Sequence, residues 1–205
     1  MKASSSQDAA WLSFMTEPAR YIDPARFTAF FDGSVSPALS RQLQRNQRLQ
    51  HRLSSLLHAH YKLDGAIDPQ TLGDADKAVA LATPDGLATL AVRAGAIYWS
   101  AAIASTVLAK AVTALQQQLG EALITYAMDH RALAAPTRRS LEPLETVGER
   151  IQADGWRCLA DWCDASPPGI ALRVRLKLPP GSLADQPALP LFKDKGAAII
   201  RRAAV

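Results

Sequence analysis

A chain of 205 residues with 48% hydrophobic and 20% charged side chains has ordinary globular proportions, and it can bury a sizeable core without metal or disulfide staples. Its formal net charge of +4 and pI of about 9.3 suit a nucleic acid, an anionic membrane surface or an acidic protein partner, and select none of them. Alanine and leucine dominate, while Gly and Pro lie mostly between periodic segments. The expected fold is therefore mainly α, a compact multi-helix single domain with at most a minor irregular or short β element.

The first residues, MKASSSQDAAW, are polar and lack the apolar stretch of a secretory signal, so residues 1–12 are expected to form a flexible tail and 13–205 one α-helical domain. Pro18 and Pro24 forbid one continuous helix through this region. Asp23 before Pro24 is a cap followed by a first-turn proline, and that helix should stop at Asp32-Gly33. Ser36-Pro37 starts the clearest helix. Leu39, Leu43, Leu49, Leu53, Leu56, Leu57 and Tyr61 fall on one face, and the helix should run to Leu63–Gly65. A shorter helix is expected from Pro69 to Ala82, capped by Asp68. The long apolar stretch from Leu87 to Leu133 divides into helices over about 86–104, 105–118 and 121–134, jointed at Gly120. The uncharged run between Arg93 and Lys110 falls short of the ~20 apolar residues of a bilayer span and reads as a buried core helix. Gly95 inside it costs about 1 kcal/mol relative to Ala, which a close helix crossing would explain.

Ala135-Pro136-Thr137 reads as a linker. Beyond it, Leu141–Ala153 is expected as a helix stopped by Asp154-Gly155, then a short helix over Trp156–Ala165. Residues 168–178 alternate like a strand through RVRLKL but lack a partner strand, and a helix is preferred. A last helical segment is expected over Leu191–Ala204. Cys158 and Cys163 are spaced unlike a zinc or redox pair and read as reduced core thiols in a reducing cytosol.

Little in the sequence carries chemistry. His51, His58, His60 and His130 form no His-x₃-His or H-E-x-x-H pair. Phosphate-binding glycine loops and nucleophile elbows are missing, and Asp129 beside His130 points away from it on a helix. The expectation is a non-enzymatic protein without cofactor or metal. The sharpest feature is a stripe of Arg41, Arg45, Arg48 and Arg52 on a helix without acidic residues. It reads as a solvated face, as a docking face for an acidic partner, or as a nucleic-acid contact; no aromatics interleave the arginines as the last would favour.

Four stretches in order carry a resemblance: PARYIDPARF from Pro18, VRAGAIYWSAAIA from Val92, LGEALITYAMDHRALA from Leu119, and GWRCLADWCDASPPGIALRVRLKLP from Gly155. Together they resemble the SctK family (YscK/PscK-like) of bacterial type III secretion systems. The segment 64–84 and the tail after Pro180 match nothing in that pattern. The resemblance implies a cytosolic adaptor of the sorting platform beneath the injectisome. Such an adaptor links the cytoplasmic domain of the inner-membrane ring protein SctD to the SctQ pods, which lead to the SctL–SctN ATPase complex. It implies no catalysis and no cofactor, a chain that is monomeric in isolation, and no membrane insertion. Partner-binding candidates are Arg20, Tyr21 and the stripe Arg41, Arg45, Arg48 and Arg52. The competing readings are a helical nucleic-acid-binding regulator, disfavoured by the lack of interleaved aromatics, with no nucleic-acid partner expected, and a secretion chaperone, which the basic pI disfavours.

Overall fold

The computed structural model describes residues 2–63, 65, 67–135, 140–193 and 195–205, with side chains from Gln7 onward. Helix α1 spans Lys2–Thr16, so the boundary expected at residue 12 coincides with no break in structure. Trp11 and Phe14 explain why: both are buried, and burying two aromatic rings on one face holds a polar helix in place. After a 3-10 turn at Pro18–Arg20, helix α2 covers Pro24–Ala29. The Asp23 carboxylate accepts from the backbone N–H groups of Ala25 (2.8 Å) and Arg26 (3.3 Å), as the cap rule requires. Asp32 and Gly33, both at positive φ, then turn the chain.

The single helix expected from Pro37 to the mid-sixties is two. Helix α3 runs Pro37–Arg45, a 3-10 turn covers Gln47–Leu49, and α4 runs Gln50–Tyr61. The break falls at Asn46, whose extended backbone and side-chain oxygen, accepting from the Arg48 N–H at 3.0 Å, replace the helical ladder. Asparagine competes with its own backbone in this way, and periodicity alone does not register it. Similarly, the helix expected over 69–82 divides into a 3-10 turn at Pro69–Thr71, capped by Asp68, and α5 over Asp74–Leu81.

Helix α6 spans Pro84–Ala104, with Thr83 Oγ1 accepting from the Gly86 N–H at 3.1 Å. It is long and apolar enough to cross a bilayer, but 67% of its most apolar window is buried inside the protein, as a core helix requires. Helices α7 (Ala109–Leu119) and α8 (Glu121–Asp129) meet at Gly120, which takes a positive φ of 78°. The linker expected at 135–137 lies mostly outside the described residues. Helix α9 then runs unbroken over Val147–Ala165, through the Asp154-Gly155 pair expected to stop it. Residues 168–176 form helix α10 (Pro168–Leu176), and α11 spans Lys195–Ala203. Among the described residues there is no strand.

Why Asp154-Gly155 sits mid-helix is plain from packing. A Cβ on Gly155 would lie 1.7 Å from the Ala91 carbonyl oxygen, and one on Gly95 would lie 1.9 Å from that of Ile151. The two glycines let α6 and α9 cross backbone to backbone. Asp154, buried beside them, accepts from the Trp99 indole N–H at 2.8 Å and from Arg157 at 2.7 Å. A similar logic docks α11 and α5 on α9. Asp161 accepts from the Ala197 N–H in the first turn of α11 at 2.8 Å, and Asp76 of α5 accepts from the Trp162 indole and from Arg201. Cys158 and Cys163 are free and buried here.

This α6–α9–α11 core is the larger of two apolar clusters. The smaller one gathers Ala19, Ile22, Phe27, Leu53, Leu57, Leu63 and Leu176 beneath α2, α3 and α4. Helix α10 joins them. Its buried Arg173 donates to the carbonyls of Met15 (3.0 Å) and Leu63 (2.8 Å). One turn on, Lys177 donates to those of Ala80 (2.6 Å) and Ala82 (2.7 Å). Those carbonyls lie at the C-terminal ends of α1, α4 and α5, where the helix dipole favours a cation.

Candidate functional site

Among the described residues no group of three or more His, Cys, Asp or Glu side chains could hold a metal ion. The candidate residues are surface residues, and the structure divides them. Arg20 and Tyr21 follow Pro18, whose fixed φ starts a tight turn. Arg20 pairs with Glu17 at 3.0 Å, its side chain 56% exposed. Tyr21 turns inward. Its hydroxyl donates to the Phe14 carbonyl at 2.8 Å, its ring stacks on Phe14, and the Lys177 ammonium lies over both rings. Burial pushes the Tyr21 hydroxyl above its ordinary range, opposed by the nearby Arg173. Burial pushes Lys177 the other way, down to about 7. Arg20 and the part-buried Tyr21 both line an open, mainly apolar groove of about 660 Å³ with Phe14, Leu81 and Lys177.

Arg41 and Arg45 sit four apart on α3; Arg48 lies in the 3-10 turn and Arg52 on α4. The break at Asn46 means that they do not form one straight stripe. All four are nevertheless exposed. No ion pair is found for any of them among the described residues, and the Arg41 Nε–H donates only to the Pro37 carbonyl of its own helix. The apolar face expected opposite them is incomplete: Leu53 and Leu57 are buried, whereas Leu39 and Leu56 remain 44% and 47% exposed.

Sequence reasoning missed a second exposed feature. Val107 (88% exposed) and Leu108 (69%) form the turn between α6 and α7 beside a groove of about 480 Å³. The signal was present, because a break in an apolar run leaves apolar residues in a turn. It was hidden by reading 105–118 as helix. Lys177 was also missed, because within RVRLKL the sequence offers no sign that its amine is buried.

These features define an all-helical protein whose notable side chains are exposed basic and apolar groups. The family model described as YOP proteins translocation protein K (YscK) matches residues 10–201. The match runs through 64–84 and most of the tail after Pro180, the two segments expected to fall outside the pattern. The nodulation protein NolU of Rhizobium fredii is 30% identical over 173 residues, covering 84% of this chain and 77% of NolU. NolU of Sinorhizobium fredii (strain NBRC 101917 / NGR234) matches over the same 173 residues at the same 30% identity. No solved structure matches. The chain belongs to the YscK family, and so is a type III secretion protein associated with the secretion apparatus.

Proposed function

We propose that this chain is a non-enzymatic cytoplasmic adaptor of the sorting platform, joining the cytoplasmic domain of the ring protein SctD to the SctQ pod. An adaptor needs two surfaces that do not compete. The observation that best supports this role is the presence of two exposed surfaces of unlike chemistry on one helical body. One is the arginine-bearing face of α3 and α4 over the smaller cluster. The other is the apolar α6–α7 turn over the larger one. Unlike surfaces discriminate partners by what each refuses as well as by what each accepts.

The test is co-purification of the full chain with the SctD cytoplasmic domain and with SctQ, singly and together. Binding to each alone and a three-component complex are expected. Failure to bind either folded partner refutes the reading. Mutually exclusive binding refutes the bridge while leaving the chain a binding protein.

A further inference from the structure

The basicity of this protein resides in one segment. Between Gly33 and Leu63 lie five of its 23 Lys and Arg residues and none of its 19 Asp and Glu, which leaves 18 cations against 19 anions in the rest of the chain. Elsewhere among the described residues six cations are held in ion pairs. Arg20, Arg26, Lys77, Arg157, Arg175 and Arg201 each pair with a carboxylate. On α3, the 3-10 turn and α4, Arg41, Arg45, Arg48 and Arg52 are exposed, and among the described residues none of them has an ion pair with a carboxylate. A folded chain gains only a few tenths of a kcal/mol from an exposed i,i+4 pair, yet even these are missing here. The local charge is left for something outside the chain.

Two leucines share this surface. Leu56 lies one turn beyond Arg52 on α4 and is 47% exposed, and Leu39 at the start of α3 is 44% exposed. A phosphate backbone makes no use of exposed apolar side chains beside its cationic contacts. Nucleic-acid binding would favour open aromatic faces. The aromatic rings of α4 and of the end of α2, His60, Tyr61, Phe30 and Phe31, are packed edge to face on one another. Guanidinium groups flanked at both ends by exposed leucines suit a carboxylate-bearing segment with its own apolar side chains.

We propose that the α3–α4 face is a docking surface for an acidic amphipathic segment of a partner protein, with Arg45, Arg48 and Arg52 meeting its carboxylates and Leu56 its apolar stripe. This rests on the adaptor reading for the partner's identity but not for its chemistry. Asn46 supports it geometrically, since the break aims the α3 and α4 arginines along two axes and so around a segment instead of along a line.

The test titrates the full chain with four probes. They are an 18-residue helical peptide of Glu and Leu, the same peptide with every Leu replaced by Ser, a 20-base-pair DNA duplex, and anionic phospholipid vesicles. SctD and SctQ binding is measured in parallel. The Glu/Leu peptide should bind, and R45E/R48E should weaken it at least ten-fold with an unchanged circular dichroism spectrum. Leu56→Ser should weaken it about three-fold or more, and the leucine-free peptide should bind correspondingly less well. Of SctD and SctQ, one should lose affinity with R45E/R48E and the other should not. Absence of peptide binding, indifference of the peptide to both variants, or preference for duplex or vesicle would each overturn the proposal. Failure of both partners with peptide binding intact would instead sink the adaptor reading alone.

Discussion

Replacing Gly95 by Ala removes a residue with poor helix propensity, and on that ground alone should stabilise α6 by about 1 kcal/mol. The crossing reverses the sign. The new Cβ would meet the Ile151 carbonyl oxygen at 1.9 Å, where ordinary contact begins at 3.4 Å, so the helices must part by about 1.5 Å. The obstacle is backbone, which has no rotamer to change. Parting α6 from α9 loosens Ile97, Ile151 and Leu159 together, all fully buried, and a gap of 0.5–1 Å already forfeits about a quarter to a half of each dispersion contact. Overpacking of this kind typically costs about 1–3 kcal/mol, and a backbone obstacle places this crossing at the upper end; set against about 1 kcal/mol of gained helix propensity, a net destabilisation of about 2 kcal/mol is expected for Gly95→Ala. In a chain of this length that lowers Tm by about 4–8 °C. Gly155→Ala, at 1.7 Å from the Ala91 carbonyl, should cost as much. The double variant should cost clearly less than the sum, because the first substitution has already opened the crossing. Urea unfolding followed by circular dichroism measures all three. An unchanged or raised midpoint for Gly95→Ala would refute the crossing, and strict additivity would refute the idea that the two glycines serve one contact.

Lys177→Met removes a buried amine whose folded value, about 7, lies below its ordinary 10.5. The unfolded chain holds the extra proton between those values, so wild-type stability contributed by this group rises with pH through that window, by up to about 1.4 kcal/mol per unit. The difference in unfolding free energy between wild type and Lys177→Met should therefore grow in favour of wild type from pH 7 to pH 10; a flat difference refutes the burial argument. Asp154→Ala removes the acceptor of the Trp99 indole and should cost about 1–3 kcal/mol by thermal unfolding, with Asp154→Asn milder; equal losses would show that charge, not acceptance, matters. Burial pushes the Cys163 thiol up to about 12, so it should resist alkylation in the native protein at pH 8 and react promptly in denaturant. Rapid native labelling followed by mass spectrometry would contradict its burial.

Helix beginnings were the most legible part of the sequence. Asp23-Pro24, Ser36-Pro37 and Asp68-Pro69 each combine a side-chain acceptor with a pre-set φ, and both are properties of adjacent residues. Gly95 was legible too, because a costly residue inside a helix demands a reason. The same reasoning applied to Gly155 would have rescued α9. Asp154-Gly155 resembles local punctuation, yet its cause is Ala91, more than sixty residues away in the chain. Asn46 failed in the opposite direction, since a local hydrogen bond overrode a convincing long period. Of the candidate site, the exposure of Arg41, Arg45, Arg48 and Arg52 could be read from their periodicity. Tyr21 could not be sorted from Arg20, because inward and outward neighbours in an irregular turn carry no periodic signature. Trp11 and Phe14, the large apolar residues that stand out in a polar stretch, are the ones that anchor α1.

Helix α10 has only nine residues, yet Val174 belongs to the larger cluster and Leu176 to the smaller. Between them Arg173 closes the ends of α1 and α4, and Lys177 just beyond closes α5. A substitution on the exposed faces is answerable to one neighbour at most, whereas nearly every substitution in this stretch is answerable to several at once. Room for neutral drift should thus be narrowest in this short buried segment. The exposed faces are under no such constraint and can diverge from one family member to the next while the seam behind them holds still.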